Sequence, residues 1–281
     1  MVEKSLNVFP IVISASALLA LPLMNMSSTT IIDLPIFILI GFSAQLIDGA
    51  IGMAYGVLSN SILLAMGVSP ALSSYSIHTA EIFTTLASGA AHLRLRNVDK
   101  KLLKKLVVPG IIGGALGACL LSSAPIYPIK IVVSIYLLIM GLIILIKARR
   151  TAARSLLKPH HISLLGGFGG LMDAIGGGGW GPIVAGTLIA GGNNPRLTIG
   201  SVNLAEFFVT IIQALTFTAF LKTMAWEIVV GLAIGGLIAA PLAAYICKRL
   251  PTRILMMIVG SLIILLGVKN ICTTFIESPL F

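Results

Sequence analysis

The chain has 281 residues; 57% are hydrophobic and 10% charged, with mean hydropathy +1.06 and formal net charge +10. A soluble globule of this size lacks the polar surface to cover so much apolar matter, and a disordered chain would be far more charged. Glycine keeps no period of three, which excludes collagen-like fibres.

The 28 charges are unevenly placed. Twelve fall in two stretches, Arg94 to Lys105 and Lys147 to Lys158. Ser5 to Leu93 holds no Lys or Arg, and Leu106 to Ile129 holds no charge. Long charge-free runs between basic clusters read as a polytopic membrane protein in the cell (inner) membrane. The positive charge then marks cytoplasmic loops, and no nucleic-acid partner is expected.

In chain order, Lys4 precedes an apolar run from Val8 to Met26. It contains Pro10 and Pro22 and lacks a small-x-small cleavage site, so residues 1–30 read as an uncleaved transmembrane helix and not a signal peptide. A first transmembrane repeat spans 31–147, with long apolar candidates at 70–93, 102–123 and 127–147. A basic cytoplasmic linker covers 148–160. A second repeat spans 161–272, with candidates at 196–220, 226–247 and 252–272, and 273–281 form a tail. Two apolar regions differ from the rest. Region 31–67 is broken by Gly49, Gly52 and Gly56, and region 161–191 by Gly176 to Gly179 and Gly181. Cys119, Cys247 and Cys272 lie in or beside apolar runs, with neither CxxC nor nearby His, and read as packing residues.

The two broken regions belong to an internal repeat. Residues 41–88 align with 166–213 at an offset of 125 without a gap, giving 15 identities in 48 positions where about 4 come from composition alone. They include Asp48/Asp173, Gly52/Gly177, Gly56/Gly181, Pro70/Pro195, Ser76/Ser201 and Glu81/Glu206. Tyr55 aligns with Trp180, and His78 with Asn203. After a three-residue gap Gly113-Gly114 matches Gly235-Gly236. Two copies of a membrane unit point to a transporter.

If each broken region crosses once, the halves are parallel, with 13 Lys and Arg inside and 6 outside. If each turns back, the halves are inverted, with 16 inside and 3 outside. The positive-inside rule prefers the inverted arrangement. The two parts of 161–191 have about 14 residues each, roughly 20 Å, too short to span alone. The expected fold is therefore all-α, with seven spanning helices plus two re-entrant hairpins, N-terminus inside and C-terminus outside. Nine simple crossings are the alternative.

Bare backbone within a bilayer is tolerated only where it lines a cavity or is buried in protein. The breaks LIDGAIGMAYG (Leu46 to Gly56) and LMDAIGGGGWG (Leu171 to Gly181) thus mark a central site. The half-helix after each break offers unpaired N–H groups and a positive dipole end, which suits an anion. Gly52, Met53, Tyr55 and Gly56 from one half, and Gly177, Gly178, Gly179 and Trp180 from the other, are the candidate binding residues. Close helix packing is the plainer role for the glycines. Asp48 and Asp173 read as caps of the half-helices or as proton carriers. The following helices carry SIHTAEIF and SVNLAEFF. Ser76, His78, Ser201 and Asn203 are further candidate ligands, and Glu81 and Glu206 candidates for hairpin anchoring or proton coupling. With no Lys or Arg in these segments, the anion would rest on backbone dipoles, hydroxyls and the polar tips of Trp180 and Tyr55. Neither metal nor cofactor is expected. An intramembrane enzyme using Asp48 and Asp173 lacks the Gly-x-Gly-Asp signature, and GxSxG, HExxH and Walker motifs are missing too. A passive anion channel is a further alternative.

At GFSAQLIDGAIGMAYG, SPALSSYSIHTAEIFTTLASG, GGFGGLMDAIGGGGWGPI and NNPRLTIGSVNLAEFFV the chain resembles the TauE/SafE sulfite exporter family, also called the 4-toluene sulfonate uptake permease family. The likeness runs from about Ile36 to Asn270. The first half departs from it, having Ala50, Ile51, Met53 and Ala54 where the second has Ile175, Gly176, Gly178 and Gly179. The resemblance implies secondary transport of a sulfur-containing anion such as sulfite, a sulfonate or sulfoacetate. Which anion, its direction, the coupling ion and the oligomeric state do not follow from it.

Overall fold

The computed structural model describes residues 34–149, 159–247 and 252–276. The helix expected in 1–30, the middle of the basic linker and the end of the tail lie outside the described residues. The elements are α1 (Leu34–Ile51), α2 (Tyr55–Ala65), α3 (Pro70–Arg94), α4 (Lys100–Ser123), α5 (Ile126–Arg149) and α6 (Pro159–Gly176). A π-helical turn (Gly181–Ala185) then leads into α7 (Gly186–Ala190), followed by α8 (Pro195–Phe220), α9 (Trp226–Cys247) and α10 (Thr252–Ile276). Among the described residues every regular element is helical.

The chain breaks fall at Gly52–Ala54 and Gly177–Gly179. Gly52 and Gly177 take φ of +73° and +62°, and Gly178 takes +136°, backbone that side-chain-bearing residues rarely adopt. Gly67 and Gly192, which end α2 and α7, match in the same way at +92° and +88°. Pro70 and Pro195 open α3 and α8, where a missing N–H costs no helical bond.

Among the described residues, four helices are long and apolar enough to cross a membrane: α4, α5, α8 and the Met256–Ile276 part of α10. Helix α3 has 25 residues but is more polar, because it buries Ser73, Ser74, Ser76, His78, Glu81, Thr84 and Thr85 inside the protein. Exposed Leu, Ile, Val and Phe side chains cover the outward faces, as contact with lipid requires. The whole is a multi-pass membrane protein.

Side-chain contacts fix the helix directions. Along α3 and α8, Tyr75 meets Thr218, Ser88 meets Asn203 and Asn97 meets Arg196, so these helices are antiparallel. Gly141 packs against Gly260 and Ile264, and Gly267 against Leu138, so α5 and α10 are antiparallel too. In contrast, Gly166 lies beside Leu106, Gly170 beside Gly110 and Gly117 beside Ala174, which makes α4 and α6 parallel. Helix α1 packs on α9 as α6 packs on α4. The chain from α6 into α7 folds back on itself: Gly169 faces Val184, and Leu165 joins the cluster that holds Leu188.

The glycine pairs seen in the sequence make the α1–α9 and α4–α6 contacts possible. A Cβ on Gly113 would strike the Gly167 carbonyl, and one on Gly235 the Ile38 carbonyl. At the loop end, Ser201 Oγ accepts from the Asp99 amide at 2.8 Å, while Arg196 reaches Asn97 Oδ1 and, at 3.3 Å, the Leu95 carbonyl. Arg196 therefore sits at the same end of the bundle as the basic 94–105 segment.

Gly113→Ala forces α4 away from α6. It should destabilise by about 1–3 kcal/mol, the usual cost of overpacking. Thermal unfolding in detergent should show a lower Tm, whereas Leu116→Ala on the exposed face of α4 should shift it little.

Candidate functional site

The two breaks cross in the middle of the molecule. A Cβ on Gly56 would lie 2.6 Å from the Gly178 Cα and 3.1 Å from Glu81 Oε1, and one on Gly181 would lie 2.5 Å from the Met53 Cα. Gly56 aligns with Gly181 and Met53 with Gly178, so one contact occurs twice. Beside the crossing is a small cavity with a partly polar lining. Gly52, Met53, Tyr55, Gly56, Gly178, Gly179 and Asn203 line it, with all four acidic candidates, Asp48, Glu81, Asp173 and Glu206. Gln45, Thr84, Thr85, Ser88 and Pro182 complete much of the wall, and no Lys or Arg contributes.

Each aspartate turns back onto the half-helix after its own break. Asp48 Oδ1 accepts from the Ala54 and Tyr55 amides at 2.7 and 3.2 Å. Asp173 Oδ1 accepts from the Trp180 amide at 2.8 Å, and its Oδ2 from Gln213 Nε2 at 3.0 Å. These carboxylates satisfy N–H groups that a helix start leaves unpaired and complement its dipole. Gly56 and Val57 in the first half, and Gly181 in the second, line the cavity, and their amides have no carbonyl one turn back within their helix.

His78 lies behind the wall, fully buried, stacked on Phe217 with ring centroids 6.3 Å apart. Its Nε2 is 3.2 Å from the Asp173 carbonyl, which only accepts, so Nε2 carries a proton. Its Nδ1 is 2.9 Å from Glu81 Oε2, so one further proton is shared between them. Whichever atom holds it, His78 and Glu81 together are neutral. In the other half Asn203 replaces His78 and donates instead to Ser88 Oγ at 2.9 Å. Among the described residues Glu206 makes no side-chain hydrogen bond.

Other residues expected at the site make their bonds within the protein. The Trp180 indole N–H donates to the Val202 carbonyl at 3.1 Å from a fully buried ring, and the Tyr55 hydroxyl donates to the Leu232 carbonyl at 3.0 Å. Neither polar tip is offered to a ligand, because a buried donor takes the nearest carbonyl. Ser201 bonds the Leu197 carbonyl and the Asp99 amide and fastens a loop. Ser76 is buried and, like His78, Gly177 and Trp180, does not line the cavity. Gly177 faces Asn60, whose Cγ would stand 2.6 Å from a Cβ there.

The second break is held by side chains that the repeat did not reveal. Asn60 donates to the Gly176 carbonyl, Ser74 to the Ala174 carbonyl at 2.6 Å, and Tyr136 to the Gly178 carbonyl at 3.0 Å. Asn60 aligns with Ala185 and Ser74 with Ile199, so the first break has no matching pair. Lys147 Nζ reaches the Pro182 carbonyl at 2.6 Å, bonding a carbonyl in the π-turn. An isolated Asn in α2 and a lone Tyr deep in the apolar α5 were the sequence signals available.

The two caps differ in what a neutral replacement would cost. Asp48→Asn keeps an oxygen for both amides. Asp173→Asn places an amine against Gln213 Nε2 unless Gln213 turns over and gives up its 3.3 Å bond to the Gly170 carbonyl. Asp173→Asn should therefore lower Tm in detergent more than Asp48→Asn, by a difference worth about 1–3 kcal/mol. Equal shifts would contradict the geometry.

Comparison with known proteins agrees with the resemblance seen in the motifs. A family model described as Sulfite exporter TauE/SafE matches residues 37–270. The chain is 39% identical over 256 residues to the "Probable membrane transporter protein YtnM" of Bacillus subtilis (strain 168), covering 86% of this chain and 84% of that protein. No solved structure matches. Crossed glycine breaks on a polar cavity within an apolar helical bundle, together with a match over most of the length, place this chain in the TauE/SafE sulfite exporter family.

Proposed function

We propose that the protein is a secondary transporter that moves a small sulfur-containing oxyanion, such as sulfite, a sulfonate or sulfoacetate, through the cavity between the two breaks. The carrying observation is the reciprocal crossing of the breaks at a polar cavity. The helix starts at Gly56, Val57 and Gly181 offer the anion backbone amides, and the Ser88 hydroxyl and the second N–H of Asn203 add neutral donors. The family description supports a sulfur-containing anion as cargo, and the relative's name supports membrane transport.

In this reading α1–α2 and α6–α7 are re-entrant hairpins, and the halves are inverted repeats. Antiparallel pairing of equivalent helices supports inversion, since it calls for a two-fold axis across the helices. The position of Arg196 beside Leu95 and Asn97 supports it as well, because the parallel alternative puts Arg196 and the 94–105 segment on opposite sides. Alternating access then comes from exchange of equivalent contacts between halves.

Proton coupling follows from charge. At an effective dielectric constant of about 20, unit charges roughly 6 Å apart repel by about 3 kcal/mol. Beside the neutral His78–Glu81 unit, the carboxylates of Asp48, Asp173 and Glu206 would repel an anion unless protons or other donors neutralise them. Proton movement with the anion removes that cost.

Two measurements test the reading. In proteoliposomes, labelled sulfite or sulfonate flux should saturate and run uphill under an imposed pH gradient. Flux that never saturates and never runs uphill would favour a channel. In a chain with its cysteines replaced, Lys101→Cys and Asn194→Cys should react with an impermeant maleimide from one side of the membrane, and Thr223→Cys from the other. Opposite-side labelling of positions 101 and 194 would restore the parallel topology.

A further inference from the structure

The four cavity carboxylates are chemically unequal. Asp48 is held by two backbone amides, and Asp173 by one amide and the Gln213 side chain. Glu81 is paired with His78 in a neutral unit pinned to the Asp173 carbonyl. Glu206 alone lines the cavity without such compensation. The repeat explains the difference. The position that gives Glu81 its histidine gives Glu206 only Asn203, and that side chain is turned to Ser88.

Resting on the transport reading above, we infer that Glu206 is the residue that carries the coupled proton, and that the His78–Glu81 pair is a fixed positioning unit that does not exchange its proton during the cycle. The titratable groups sharing the cavity with Glu206 are Asp48 of α1, Tyr55 of α2, Glu81 of α3 and Asp173 of α6. No Lys or Arg lines it, so an ionised Glu206 and a bound anion face each other unscreened. A proton on Glu206 removes that repulsion and adds a donor, so anion and proton bind together. The loaded carrier is closer to neutral and can change sides. With the anion released, the proton leaves Glu206 to water at the cavity mouth. Asp173 reads both units: its carbonyl holds His78, while its carboxylate caps the second half-helix. Losing the shared proton would leave the pair negatively charged with Nδ1 only 3.9 Å from the Asp173 carboxylate that caps the break, which is why that pair is assigned to position and not to coupling.

The test uses the full-length chain in proteoliposomes with labelled sulfite as the probe. Two modes are compared: exchange at equal pH on both sides, and accumulation under a pH gradient imposed in either direction. Glu206→Gln mimics the protonated form permanently. It should reduce the ratio of accumulation to exchange at least tenfold, and Glu206→Asp should restore much of that ratio. Glu81→Gln, which breaks the positioning unit, should lower both modes together and lower Tm in detergent. The assignment is overturned if Glu206→Gln still accumulates sulfite, if it loses both modes in proportion while its Tm matches wild type, or if Glu81→Gln alone shows the separation. A wild-type chain that exchanges no sulfite overturns the transport reading, and the assignment with it. Wild-type exchange with a failed Glu206→Gln separation overturns only the assignment.

Discussion

The close crossing of the two chain breaks is the constraint on which the remaining structure depends. Gly56 lies against Gly178 and Gly181 against Met53, with backbone nearly touching backbone. Such an approach leaves no room for a side chain at Gly56, Gly178 or Gly181, and it opens four helical pieces at the centre of an apolar bundle. Their free amides and carbonyls must then be met inside the protein. Asp48 and Asp173 meet amides of the half-helices. Asn60, Ser74, His78 and Tyr136 meet carbonyls at the end of α6 and beyond. The polarity of α3 follows from the same demand, since it supplies two of these groups. The glycine seams of α4 and α9 let α6 and α1 seat closely enough for the crossing to occur.

The pseudo-symmetry is broken where chemistry is needed. Both halves keep the aspartate cap, the left-handed glycine and the glutamate on the next helix. One half has a histidine beside the glutamate where the other has Asn203, and the second break is held by Asn60 and Tyr136 side chains from the opposite half. The resulting cavity holds one carboxylate without a fixed partner. An exact two-fold site would hold two equivalent glutamates and would bind an anion equally well from either side. In the proposed transport cycle, that inequality is what assigns the proton a place.

Much of this was legible in the sequence because it depends on local rules. The offset of 125 residues placed α6, α7 and α8 on the pattern of α1, α2 and α3, and Pro70 and Pro195 marked where helices start. Asp48 and Asp173 could be read as caps, since a short polar side chain before a helix start has an obvious amide to bond. The basic residues favoured inverted halves, and the antiparallel course of α3 and α8 is consistent with that preference. Tertiary contacts decided the rest. Trp180 and Tyr55 looked like ligand donors because their tips are polar. Burial beside the Val202 and Leu232 carbonyls settled their partners, and no spacing along the chain encodes that. His78 looked like a ligand because it titrates near neutrality. Its place behind Glu81 depends on how α3 meets α6. Tyr136 and Asn60 escaped notice because their importance comes from the opposite half.

The most direct test of the central claim is a structure of the protein determined with saturating sulfite. The account places density for the anion between the breaks, within hydrogen-bond distance of the Gly56, Val57 or Gly181 amides. Density at another polar surface, with the crossing of the breaks left empty at saturating anion, would contradict it.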